Sequence, residues 1–264
     1  MKSNKFTSFD GVQIAVHEMG PNTGEGRPLI LIHGYFSDAH TNWIKYGHAA
    51  LLASAGYRVI MPDLRAHGHS DKPHDPGAYP ADVLADDQFA LIAHLGLTDF
   101  DLGGYSLGGR TVGRMMARGC MPRRAIIAGM GLQGMTDTAS RRDHFRHILT
   151  HLGQHERGSP EWMAEAFLKT TGGDAAALNL ILDSFVDTPK AVLGDLDPPV
   201  AVICGAEDND NGSAQELADT LPHGRYIEVP GNHMSAVAKP ELGQAMLEYL
   251  TFAGSWGHEG IIST

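Results

Sequence analysis

Gly104, Tyr105, Ser106, Leu107, Gly108 and Gly109 join a short apolar run to a stretch with helical periodicity, and few backbones can make that junction. A serine raised at a sharp strand-to-helix turn occupies a strained backbone region, with main chain passing close by. The positions two before and two after it must then carry almost no side chain, a demand that Gly104 and Gly108 meet. Such a turn exposes Ser106 as a nucleophile, since a serine hydroxyl is a weak one at its free pKa and needs an acceptor histidine within reach. The same six residues could merely link a strand to a helix, so the reading depends on what the rest of the chain supplies.

Three further segments supply it. The apolar run 29–32 ends at His33, Gly34 and Tyr35; the run 200–204 ends at Gly205, Ala206, Glu207 and Asp208; the run 226–229 leads into Pro230, Gly231, Asn232 and His233. Each chemistry-bearing residue stands just past the carboxyl end of an expected strand. There are fifteen histidines, but His233 alone follows the last expected strand and precedes the last expected helix. For the acid, Asp208 is preferred, with Asp210 and then Glu207 as alternatives within the same loop.

The remaining pattern is an alternation. Strands are expected at 29–32, 57–61, 99–103, 124–128, 200–204 and 225–229, and helices at 43–55, 81–95, 107–118, 214–221 and 241–252. Ahead of them, 6–9 and 12–17 read as a hairpin turning on Asp10 and Gly11. Alternation of this kind builds a mostly parallel sheet covered by helices on both faces. Between Gly131 and Asp195 it lapses into helical patterning without a strand.

These positions, and the chain order serine, acid, histidine, resemble the α/β-hydrolase family over nearly the whole length. The segment Asp63, Leu64, Arg65, Ala66, His67, Gly68, His69 and Ser70 resembles it too, although many members have glycine where Ala66 stands. The resemblance implies an α/β fold with a mostly parallel sheet of about eight strands and a small helical cap inserted after the sixth. The core would take 1–132 and 193–253, the cap 133–192, and 254–264 would form a flexible tail. It implies that Ser106 attacks an acyl carbonyl, that His233 takes the serine proton and that Asp208 orients the imidazole. The oxyanion would be held by the backbone amides of Tyr35 and Leu107. His33 is expected to shape the loop that carries Tyr35.

Composition narrows the partners. A net charge of -11 disfavours nucleic acid and anionic membrane. No run of about twenty apolar residues is present, and residues 1–10 hold no apolar stretch of signal-peptide length, so a cytoplasmic enzyme is expected. Cys120 and Cys204 give no disulfide framework. No dinucleotide fingerprint occurs, and neither an organic cofactor nor a metal is called for. His144, His147, His151 and His155, spaced by three and four, read as a solvated helix face beside Arg141, Arg142 and Arg146. The sequence does not specify an oligomeric state.

A serine nucleophile disfavours the branches that need a carboxylate, the epoxide hydrolases and haloalkane dehalogenases. Relatives that cleave carbon–carbon bonds usually carry Asn and Trp where Tyr105 and Met234 stand, and perhydrolases commonly carry Trp at the place of Tyr35. The expected substrate is therefore a small, largely apolar carboxylic ester or lactone. The alternatives are carbon–carbon bond hydrolysis, perhydrolysis, acyl transfer, or a non-catalytic ligand receptor on the same fold.

Overall fold

The computed structural model describes residues 1–21 and 26–252. Apolar stretches rich in Val and Ile become strands because a sheet covered on both faces buries every side chain, and β-branched residues pack well on a pleated surface. Leu29, Ile30, Leu31 and Ile32 are all fully buried, as are Ile126, Ile127, Val202 and Ile203. At about 1.5–3 kcal/mol for each large aliphatic side chain taken from water, such strands dominate the folding energy.

The chain starts with β1 (Lys2–Thr7) and β2 (Gln13–Met19), paired antiparallel. The expected two-residue turn on Asp10 and Gly11 is replaced by a longer loop. Ser8 donates to the carbonyl of Val12 and Gly11 donates to that of Ser8, with Gly11 alone at positive φ (94°). Asp10 does not adopt the left-handed conformation because its carboxylate is held by Arg65 at 2.6 and 2.9 Å.

The parallel body follows: β3 (Arg27–Ile32), α1 (His48–Ser54), β4 (Tyr57–Pro62), α2 (Val83–Leu95), β5 (Asp101–Tyr105), α3 (Leu107–Ala117) and β6 (Ala125–Ala128). A helical block comes next, α4 (Leu132–Thr136), α5 (Ala139–Thr150), α6 (Pro160–Thr171), α7 (Ala175–Ile181) and α8 (Lys190–Leu193). The sheet resumes with β7 (Val200–Gly205), α9 (Ala214–Thr220) and β8 (Gly224–Val229), and the chain closes on α10 (His233–Ala236) and α11 (Pro240–Thr251). The eight strands lie in the order β1-β2-β4-β3-β5-β6-β7-β8, antiparallel at the β1 and β2 edge and parallel from β4 onward.

Two boundaries differ from expectation for identifiable reasons. The helix expected over 43–55 is broken, with a π-helical turn at His40–Ile44 and α1 starting only after Gly47, whose φ of 85° stops a helix. β5 runs two residues later than expected, because Asp101 is tolerated inside it by Arg123, which donates to both of its carboxylate oxygens at 3.0 and 2.7 Å. That shift brings β5 directly up to Ser106.

Among the apolar residues of the helical block, Ile148, Leu149, Leu168, Leu178, Ile181 and Leu182 are buried, whereas Trp162 and Met163 stay exposed. The block is fastened to the loop after β3 by two hydrogen bonds. Tyr35 Oη donates to the carbonyl of Leu178 at 2.6 Å, and Thr171 Oγ1 donates to that of Phe36 at 2.7 Å. The expected tail at 254–264 lies outside the described residues.

Candidate active site

The carboxyl ends of β3, β5, β7 and β8 open onto one edge of the sheet, and the loops after them carry the residues in question. Ser106 sits between β5 and α3 with φ 55° and ψ −115°, a conformation that L residues rarely adopt. Its neighbours explain how the strain is held. A side chain at Gly104 would lie 2.3 Å from the main chain of Gly108, and one at Gly108 would lie 2.0 Å from the carbonyl oxygen of Ile32. The turn can close only with glycine at both places.

Ser106 Oγ lies 3.0 Å from His233 Nε2, and His233 Nδ1 lies 2.8 Å from Asp208 Oδ2. His233 is the first residue of α10, whose start is fixed by Asn232: its side chain accepts from the amides of Met234 and Ser235 while Ser235 Oγ accepts from the Asn232 amide. The geometry also separates the three acidic candidates. Asp208 is buried, with a side chain 1% exposed, whereas the Asp210 side chain is 49% exposed and 3.8 Å from Arg141. Glu207 is exposed. Burial pushes the Asp208 carboxyl up, but the hydrogen bond and charge of His233, with the amide of Asp210, outweigh it and hold the group below the usual carboxylate range.

The loop after β3 is built to a fixed shape. The amide of Leu64 donates to His33 Nε2 at 2.9 Å, so the ring hydrogen is on Nδ1, which faces the carbonyl of Gly34 at 2.8 Å. Asn42 Oδ1 accepts from the Gly34 amide at 3.0 Å. Asp63 ties this loop to the one after β4 by accepting from the amides of Ala39 and His69 at 2.9 and 2.8 Å. Gly34 packs closely on the serine, and a Cβ there would lie 3.3 Å from Ser106 Cβ. Tyr35, the next residue, and Leu107, the first residue of α3, both line the depression beside Ser106. Ala66, at a place where a glycine was the family expectation, adopts φ 69° and is fully buried.

That depression is shallow and is lined by Tyr35, Ser106, Leu107, Arg110, Met130, Arg141, Phe145, Phe185 and Asn211. Its aromatic wall is continuous, with Tyr35 packed edge-on to both Phe145 and Phe185 at ring separations of 4.7 and 6.2 Å. Two features around Ser106 had no counterpart among the expectations from sequence. Tyr105 Oη reaches the carbonyl of His233, and two arginines, Arg110 and Arg141, enter a lining expected to be largely apolar. A metal is a separate matter: among the described residues only His17, Asp63 and His69 lie close enough together to share an ion. Asp63 and His17 are engaged with each other at 3.2 Å, and Asp63 with two backbone amides. The run His144, His147, His151 and His155 forms no such group, although His147 packs on His151 at 4.4 Å.

Among the described residues no helix is long and apolar enough to cross a membrane. Residues 27–134 match the alpha/beta hydrolase fold family. A non-heme chloroperoxidase of Kitasatospora aureofaciens is 37% identical over 114 residues, 42% of this chain and 38% of that protein. A non-heme haloperoxidase of Rhodococcus erythropolis is 35% identical over 141 residues, 51% of this chain and 46% of the relative. The chain therefore spans less than half the length of either relative. A thermophilic esterase from Thermogutta terrifontis, whose structure was determined with malate bound, superimposes with a TM-score of 0.75 at 24% identity, covering 95% of this chain and 98% of the esterase.

Proposed function

We propose that this chain, a member of the α/β-hydrolase fold family, is a serine hydrolase that cleaves a small carboxylic ester or lactone through an acyl-enzyme. The observation that carries this reading is the unbroken relay from Ser106 Oγ through His233 to Asp208, with contacts of 3.0 and 2.8 Å. In it, Ser106 Oγ attacks the acyl carbon while His233 Nε2 accepts the hydroxyl proton. Asp208 keeps the ring hydrogen on Nδ1 and stabilises the imidazolium as it forms. The carbonyl oxygen, now an oxyanion, takes hydrogen bonds from the amides of Tyr35 and Leu107. Collapse expels the alcohol with the proton from His233, and water repeats the sequence on the acyl-enzyme to release the acid.

The main domain would span 1–132 and 193–253, with the helices of 133–192 as its cap, fastened to the oxyanion loop through Tyr35 and Thr171. A second reading is favoured by the haloperoxidase relatives: hydrogen peroxide, rather than water, would take the acyl group from Ser106 and leave as a peracid. Its signature is peroxide-dependent bromide oxidation that requires a carboxylic acid co-substrate.

The test is hydrolysis of a p-nitrophenyl ester series of increasing acyl length by the wild type and by Ser106→Ala, with burst and steady state both recorded. Turnover that disappears in the variant supports the reading. Equal activity in both proteins removes Ser106 as the nucleophile.

A further inference from the structure

Arg110 stands one helical turn after Ser106 on α3, is 5% exposed, and has no carboxylate within 4 Å among the described residues. This chain's other deeply buried guanidinium, Arg65, is treated in the opposite way. It meets Asp87 through two hydrogen bonds of 3.0 and 2.7 Å and Asp10 through two more. Arg110 instead spends its Nε on the carbonyl of Gly134 at 2.9 Å and lays its plane over the ring of Phe185 at 5.2 Å. The two acidic groups whose charge reaches it, Asp137 and Asp187, accept from the amides of Ala139 and Thr138. Among the described residues the Arg110 side chain donates only through Nε, and the residue lines the depression that holds Ser106.

A second cation adds to the imbalance. Arg141, on α5, lines the same depression, stacks over Phe145 at 4.9 Å and reaches Asp210 only at 3.8 Å. Burial, with the charge of Arg141 adding to it, lowers Arg110 to about 10. Burying an uncompensated charge costs several kcal/mol, so a site that keeps one next to a second cation is complementary to an anion that is not part of the chain.

We propose that the substrate carries a free carboxylate, seated on the Arg110 guanidinium with Arg141 beside it, while its ester or lactone carbonyl lies at Ser106. This inference rests on the reading of Ser106 as nucleophile and refines the acid it acylates. A planar guanidinium matches the two oxygens of a carboxylate in one plane. Tyr35, Phe145 and Phe185 form the apolar part of the same lining. A half-ester of a short dicarboxylic acid carries a carboxylate and an ester together.

The experiment measures binding, so that it does not depend on turnover. Full-length Ser106→Ala protein is titrated calorimetrically with glutarate, with glutaramide as its uncharged counterpart, and with propyl phosphate. Glutarate is expected to bind at least tenfold more tightly than glutaramide. The preference should fall within twofold in S106A/R110Q and by at least threefold in S106A/R141Q. Equal binding of glutarate and glutaramide, no binding of glutarate, or a preference that survives both double variants would overturn the proposal. Propyl phosphate binding as tightly as glutarate would overturn the carboxylate assignment. If circular dichroism shows that Arg110→Gln has not folded, the ligand comparison in S106A and the Arg141 variant decide alone. An absence of ester hydrolysis would sink the proposed reaction without touching this result.

Discussion

The hydroxyl of Tyr105 donates a 2.6 Å hydrogen bond to the main-chain carbonyl of His233. Because Tyr105 directly precedes Ser106, the bond ties the backbone that carries the Ser106 hydroxyl to the backbone that carries the His233 imidazole. Burial of the phenol raises its pKa well above the ordinary value, so it stays a donor across the working pH range. Tyr105→Phe removes only the oxygen. The variant should lose about 1 kcal/mol of stability and roughly three- to tenfold in kcat, with KM nearly unchanged, since substrate contacts are left in place. Unchanged kcat would show that the tether does not position His233.

Substitutions at the acidic loop separate two carboxylates that are two residues apart. Asp208→Asn should lower kcat/KM by about 10³-fold or more, because the amide favours the wrong imidazole tautomer. Asp210→Asn should stay within about threefold of wild type, its side chain being half exposed and outside the relay. Steady-state kinetics on one ester settles the comparison, and similar losses in both variants would contradict the assignment.

Gly108→Ala places a methyl group 2.0 Å from the carbonyl oxygen of Ile32, a main-chain atom that cannot move aside without displacing β3. The expected cost is at least about 3 kcal/mol, read as the shift in urea midpoint. A midpoint within experimental scatter of wild type would mean that the elbow is looser than its geometry indicates.

Acid should weaken the fold through His67. Burial, with the nearby His33 adding to it, lowers its pKa from 6.5 to about 3. Its Nε2 has no hydrogen-bond partner among the described residues. The unfolded chain takes up a proton below pH 6.5 that the folded chain refuses until about pH 3, so stability falls as pH drops through that window. Burial lowers His33 too and acts in the same direction. His17, raised by its hydrogen bond to Asp63, acts in the other: its contribution is present below its unfolded pKa and fades as pH rises. His67→Leu should flatten the decline between pH 6.5 and 4.5 by up to about 1.4 kcal/mol per pH unit. Parallel curves for the two proteins would exclude His67 as the source.

The alternation of strands and helices and the four loops that follow the strands were legible in the sequence because each rests on a short-range requirement. An apolar run ends where a glycine-containing turn begins, and the chemistry-bearing residue follows at once. The hairpin turn and the helix over 43–55 were misread because their outcome depends on distant partners and on one backbone angle. Arg65 holds Asp10 from 55 positions away, and Gly47 adopts a positive φ that no periodicity announces. The polarity of the pocket escaped for a similar reason. Arg110 was not singled out in the helix after Ser106, and Arg141 was grouped with Arg142 and Arg146 on a solvated face. Both line the depression beside Ser106.

The most direct test of the central claim is covalent labelling by a fluorophosphonate, read by mass spectrometry of the intact protein and of its peptides. Stoichiometric addition on Ser106, absent in Ser106→Ala and slowed at least a hundredfold in His233→Ala, is the predicted result. No addition to folded wild-type protein, or addition at the same rate without His233, would contradict it.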